Sequence, residues 1–253
     1  DESVVFSDAY SVFARTYPSW MSILTGQLPI NNGIRDNIIA DLIPKSKTLS
    51  QGFQENGWFT SFVTDDSRFS FMQEDLGFSR IFQPEVGAKN FALSATEPRF
   101  RMFHLFMHNP LGYKLAPVIA HNQALGKSYK PELFFEANIE ELQKASEHER
   151  FFFSTHACFL HAPGDRNYPW NQLFEQKGYT RYNRLRYSRS GTKLVFSEGS
   201  SDAPVNVIAK QDAKIYDAGI AMADALVERI VEELKESGLY DNSIIILLSD
   251  HGE

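Results

Sequence analysis

Residues 205 to 250 constrain the fold most. Within them Ile208, Ile215, Gly219, Ile220, Ala223, Leu226, Ile230 and Leu234 recur close to the helical period of 3.6. Gly238 then stops the pattern and "NSIIILLSD" follows. A continuous apolar run beside a long amphipathic helix is what a strand covered on both faces requires, as in a parallel sheet. The spacing predicts a helix from Val205 to Ser237 and an interior strand over "IIILLS".

The rest of the chain repeats this alternation. "VVFSDAYSVF" reads as a short strand and loop. "PSWMSILTG" reads as a helix beginning near Pro18 and ending at Gly26, since Pro suits a first turn and Gly a C-terminal stop. "SKTLSQGFQENG" is a second helix closed by Gly57, and "WFTSFVTDD" a buried strand with a polar end that could face a cleft. "PELFFEANIEELQKASE" is a helix with apolar positions Leu133, Phe134, Ala137, Ile139 and Leu142, and "RFFFSTHACFLHAPGD" a strand running into a loop. The fold class expected is α/β, with a mostly parallel central sheet flanked by helices. Residues 85–130 and 165–205 lack a clean period and read as irregular insertions. The basic, aromatic run "KGYTRYNRLRYSRSGTK" reads as a surface excursion.

Composition narrows the function classes. A net charge of −7 argues against a nucleic-acid footprint, and no apolar run approaches the length of a membrane span. The single cysteine, Cys158, excludes an internal disulfide and a multi-cysteine zinc centre.

Sites in parallel sheets form where strands end and helices begin. Thr16 lies at the start of the Pro18 helix, where free amides and the helix dipole favour an anion. Asp250 and His251 follow the last apolar run, and an Asp–His pair can hold a divalent metal. A hydroxyl beside such a metal becomes a nucleophile. Each piece has a plainer reading: Thr16 as a helix cap, "DHG" as an ordinary loop, and His156 and His161 as structural residues at a strand end.

Taken together, the motifs resemble the sulfatase branch of the alkaline phosphatase superfamily. Thr16-x-Pro18-Ser19 followed by "ILTGQLPINNGIRDN" is similar to that branch's nucleophile segment. "FFFSTHACFLHAPGD" is similar to its strand and His-x-Pro loop. The stretch "IYDAGIAMADALVERIVEELKESGLYDNSIIILLSDHGE" is similar to its long helix and metal-binding Asp-His/Asn-Gly strand. The resemblance implies one catalytic domain over residues 1–253, truncated at both ends. An early acidic metal ligand would precede residue 1, and a further metal or substrate residue would follow Glu253. It implies Thr16 as nucleophile and metal-bound group, Asp250 and His251 as metal ligands, and His161 as a contact to the ester. It also implies that Arg35 and Asn37 shape the anion pocket, with His156 nearby. The cofactor implied is a divalent ion (Zn, Mn, Ca or Mg), and the substrate a small-molecule, lipid or glycan ester. Many members work outside the cytoplasm, which leaves an extracytoplasmic setting open.

Departures from the pattern shape the chemistry expected. Sulfatases carry Cys or Ser at the nucleophile position and oxidise it to formylglycine, a conversion that threonine does not fit. Trp20 stands where those enzymes have Arg, and Asn32 where they have His. Threonine nucleophiles resemble instead the superfamily's phosphodiesterases and phosphotransferases. The expectation is a metal-dependent hydrolase or transferase of phosphate or sulfate esters, with phosphoesters favoured. The alternatives are a sulfatase working without formylglycine, or a sulfatase-like domain that only binds.

Overall fold

The structure, a computed structural model, describes residues 3–37, 43–65, 74–83, 110–115, 131–158, 160, 169–170, 173–174 and 203–252. Most of 85–130 and 165–205 lies outside these residues, as does all of the basic, aromatic run.

Two compact units divide the chain. The first, Asp1–Glu85 with Phe135–His156 and Arg229–Glu253, holds the sheet. Strands β1 (Phe59–Thr64), β2 (Arg80–Phe82) and β3 (Phe151–His156) run parallel in the order β2-β1-β3. Thr64 pairs with His156 in register, so the polar ends of β1 and β3 lie side by side. Helix α1 (Thr16–Thr25) takes Pro18 in its first turn, where the missing amide costs little, and ends at Gly26 in the left-handed conformation. After the short α2 (Pro29–Asn32), α3 (Leu49–Glu55) opens with a capping box between Thr48 and Gln51. Tyr17, Trp20, Met21 and Leu24 of α1 pack with Ile34, Phe62, Leu76 and Phe78 into one buried cluster. Its centre is an edge-to-face contact of Trp20 with Phe62 at 5.5 Å. Gly77 closes the cluster's rim at φ +84°, and a Cβ there would collide with the backbone of Gln51.

Helix α5 (Glu132–Ser146) belongs mainly to this unit; the short α4 (Pro110–Leu115) and the first part of α6 (Ala203–Glu236) belong to the second, Val86–Phe134 with Ala157–Glu228. On α5 the buried positions are Phe134, Phe135, Ala137, Asn138, Glu141, Leu142 and Ala145. A carboxylate thus sits in the apolar stripe. Glu141 is 2% exposed and receives both Nε and Nη2 of Arg80 on β2, the latter at 2.9 Å, together with Lys144 Nζ at 2.7 Å. Burial pushes its carboxyl up, but the Arg80 and Lys144 contacts outweigh it and hold the group below the ordinary value. On α6 the buried stripe is Ala218, Met222, Leu226 and Leu234, while Ile220, expected on the apolar face, is 47% exposed.

Two expected strands are absent among the described residues. Residues 3–12 form no ladder, and Val4, Val5 and Phe6 are exposed. "IIILLS" likewise joins no described strand, with Ile245 at 45% and Leu247 at 76% exposure, so it is not an interior strand here. An apolar run supplies a tendency to be buried but no partner for its amides and carbonyls, and the described sheet ends at β3 on one side and β2 on the other.

Two outcomes follow. An extended, uncharged apolar run at the surface is an aggregation hazard. Ile246→Lys in the 253-residue chain should leave the thermal midpoint nearly unchanged and suppress aggregation measured by light scattering; a large drop in midpoint would mean that the run is packed. Separately, Arg80→Ala should cost about 1.5–3 kcal/mol, because it strips charged hydrogen bonds from a buried carboxylate. Since folding lowers the Glu141 pKa, its contribution is complete above the ordinary value of 4.5 and is lost as pH falls through the depressed folded value. Urea unfolding at a series of pH values should show this acid loss, and Glu141→Gln should flatten it.

Candidate functional site

The N-cap of α1 is Arg15, which makes no side-chain cap, and Thr16 is already the first helical residue. The hydroxyl of Thr16 is therefore not spent on capping the helix. The residue is 4% exposed, and its Oγ1 lies 3.2 Å from His251 Nε2, a contact spanning 235 positions of sequence. The α1 core face anchors this geometry, because Tyr17, Trp20 and Met21 are fixed in the cluster immediately after Thr16.

Asp250 and His251 reach Thr16 without a strand ladder to carry them. The Asp250 carbonyl accepts from Ser11 Oγ at 2.7 Å and from Ser19 Oγ. Its carboxylate Oδ1 accepts the His251 amide at 3.0 Å. Its Oδ2 is buried without a hydrogen bond and lies 3.7 Å from His251 Nε2. His251 Nδ1 lies 2.7 Å from the Gly252 carbonyl, which can only accept. That contact assigns the ring proton to Nδ1 and leaves a lone pair on Nε2. Thr16 Oγ–H then donates to Nε2.

These residues fit a divalent cation. A buried carboxylate oxygen with no donor faces an imidazole lone pair beside a hydroxyl, and a positive charge among them would satisfy all three. The Nδ1–H to carbonyl hydrogen bond is the orienting contact that metal-binding histidines commonly have.

The remaining expected residues are as follows. Asn37 Oδ1 accepts the Tyr17 amide at 3.0 Å, so its side chain ties down the first turn of α1. Asp36 accepts the Asn37 amide at 2.7 Å and pairs with Arg15 at 3.4 Å. Arg35 is exposed, and no contact among the described residues joins it to Thr16. His161 lies outside the described residues.

His156 sits at the end of β3, 9% exposed, with Nδ1 3.3 Å from Thr64 Oγ1 and Trp20 edge-to-face at 5.5 Å. Asp65, which the sequence reading passed over, is buried at the end of β1, and its carboxylate lies within 4.8 Å of a His156 ring nitrogen. The only sequence signal for it is the polar ending of "FVTDD". Trp20, four residues beyond Thr16 on the same face of α1, brings the helix into contact with this second cluster. Burial pushes the Tyr17 phenol up to about 12, which keeps it protonated.

The two departures at Trp20 and Asn32 are structural. Trp20 fills the core cluster. Asn32 is fully buried, donates to Gln27 O at 3.2 Å and accepts the Ile34 amide at 2.9 Å, which shapes the turn after α2.

Comparison with known proteins follows this geometry. Over its whole length the chain is 27% identical to "Uncharacterized sulfatase YdeN" of Escherichia coli (strain K12), of which it covers 41%, so it spans less than half of that relative. In fold it is similar to the phosphonate monoester hydrolase SpPMH of Silicibacter pomeroyi, with a TM-score of 0.54, 16% identity, and coverage of 92% of this chain and 52% of the other. No described helix is long and apolar enough to cross a membrane. The family model described as Sulfatase matches residues 1–253, and the chain belongs to the sulfatase family.

Proposed function

We propose that the protein is a metal-dependent ester hydrolase or transferase in which Thr16 is the nucleophile, acting on phosphoesters in preference to sulfate esters. The observation that carries this reading is the Thr16 hydroxyl on His251 Nε2, beside the unpartnered Oδ2 of Asp250. The family generally binds a divalent metal. Such an ion, held by Asp250, His251 and Thr16, would lower the pKa of the hydroxyl and offset the charge of the anion.

The chain's own residues supply the rest. α1 holds Oγ1 at the edge of a packed core, so little orientational freedom is lost on reaction. Oγ1 attacks phosphorus, and the bond from phosphorus to the leaving oxygen breaks. The proton from Thr16 passes to solvent, since the Nε2 lone pair of His251 would be engaged by the cation. The departing oxygen takes up a proton. Water or an alcohol then cleaves the Thr16 ester and restores the hydroxyl. His161, on the resemblance alone, contacts the leaving side.

Phosphoesters are favoured for a chemical reason. Oxidation of threonine gives a ketone, not the aldehyde whose hydrate expels sulfate, so the covalent intermediate must be opened by a second attack at the central atom. Phosphoryl groups support this readily through positioning and charge stabilisation. Trp20 in the core cluster and Asn32 in the turn after α2 give both departures a packing role, which supports the catalytic reading over a domain that only binds.

In full-length protein with metal present, Thr16→Ala should lower kcat/KM for aryl phosphates and phosphodiesters by roughly 10³-fold or more, while Thr16→Ser keeps measurable turnover. Both variants should unfold within about 1 kcal/mol of the parent. Intact-protein mass spectrometry after a brief substrate pulse should find a phosphoryl adduct on the Thr16 peptide. Full activity in Thr16→Ala would end this reading, and turnover of sulfate esters alone would reverse the substrate preference.

A further inference from the structure

The Asp250–His251 pair must be held against Thr16, yet the segment leading to it belongs to no described ladder. A segment carrying two reactive groups needs its backbone fixed if their geometry is to hold. The contacts at the Asp250 carbonyl meet this need. Ser19, on the first turn of α1 and 2% exposed, donates its hydroxyl to that oxygen. Ser11, in the segment before α1, reaches the same oxygen at 2.7 Å and lies 3.4 Å from Ser19 Oγ.

Each hydroxyl has one proton to give. Ser11 Oγ also accepts the Phe13 amide at 3.4 Å and lies 2.8 Å from the Phe13 carbonyl, so its one proton is divided between that carbonyl and the Asp250 carbonyl. Ser19 is therefore the constant donor and Ser11 the adjustable one. Ser19 is three residues beyond Thr16 on α1, so the helix that presents the nucleophile also grips the backbone of the Asp–His pair.

We propose that Ser11 and Ser19 form a two-hydroxyl clamp on the Asp250 carbonyl, and that they are positioning residues setting the approach of Asp250 and His251 to Thr16. This rests on the proposed role of those three residues in holding a cation. The clamp touches neither cation nor substrate. It acts through the backbone, so its loss should loosen the donors without removing any of them. Contacts of this supporting kind are worth about 10–100-fold in metal affinity or activity.

The test uses full-length protein, with Mn²⁺ as the probe. In the metal-free protein, Ser11→Ala/Ser19→Ala should speed amide hydrogen exchange in the peptide around residues 249–252 and leave the α3 and β1 peptides unchanged. Mn²⁺ affinity by calorimetry should fall about 10–100-fold, with the thermal midpoint of the metal-free protein nearly constant. Ser11→Ala alone should have a smaller effect, and Ser11→Thr should restore the parent value. Asp250→Ala is the control for the reading beneath. If it abolishes Mn²⁺ binding while the double variant exchanges and binds like the parent, the clamp is refuted and the proposed function stands. If exchange speeds but Mn²⁺ affinity does not change, the serines hold the backbone without positioning the donors, and the proposal is overturned. If Asp250→Ala binds Mn²⁺ normally, the cation reading fails, and the positioning role that rests on it fails with it.

Discussion

The packing of α1 against β1 is the constraint on which the candidate site depends. Trp20 meets Phe62 edge-to-face inside a cluster that excludes water from one whole side of the helix. A helix held this way presents its first turn as a rigid shelf. Thr16, Ser19 and Trp20 all stand on it, and through them it reaches His251, the Asp250 carbonyl and His156 respectively. Loss of the Trp20 ring would remove the contact with His156 and leave a cavity in the cluster that fixes α1. Packing far from any reacting atom thus governs the geometry of the chemistry.

The elements with their own start and stop signals were legible in the sequence. Pro18 and Gly26 bracket α1, Thr48 and Gln51 cap α3, and the period of α6 runs almost to Gly238. The parallel sheet was legible from helices alternating with apolar runs. What local pattern could not supply was a partner. "IIILLS" carries the composition of an interior strand, but pairing is a property of two segments, and one segment does not reveal it. Glu141 misleads in the opposite sense: it reads as a solvated position on α5, and Arg80, sixty-one residues earlier, is what makes its burial tolerable.

The site divides along the same line. Thr16, Asp250 and His251 were picked out by motif resemblance and by chemistry, since nothing local joins residues 235 positions apart. Asp65 and Ser11 were not picked out. Each is an ordinary polar residue in its own stretch and gains meaning only from what lies across space, His156 for one and the Asp250 carbonyl for the other. Asn37, which the resemblance places at the anion pocket, accepts the Tyr17 amide through its Oδ1.

That last contact bears on the order of events. An α-helix offers a handful of unpaired amides at its start. In α1, Pro18 has none to give and Tyr17 gives its own to Asn37, which leaves the first turn with the amides of Arg15 and Thr16. An anionic ester arriving at so sparse a set of donors would meet the helix dipole and little else, while Asp250, whose carbonyl Ser19 grips, adds a negative charge nearby. On the proposed role of Asp250 and His251 in holding a cation, the bound ion would offset that charge, and the ester would be expected to follow the cation.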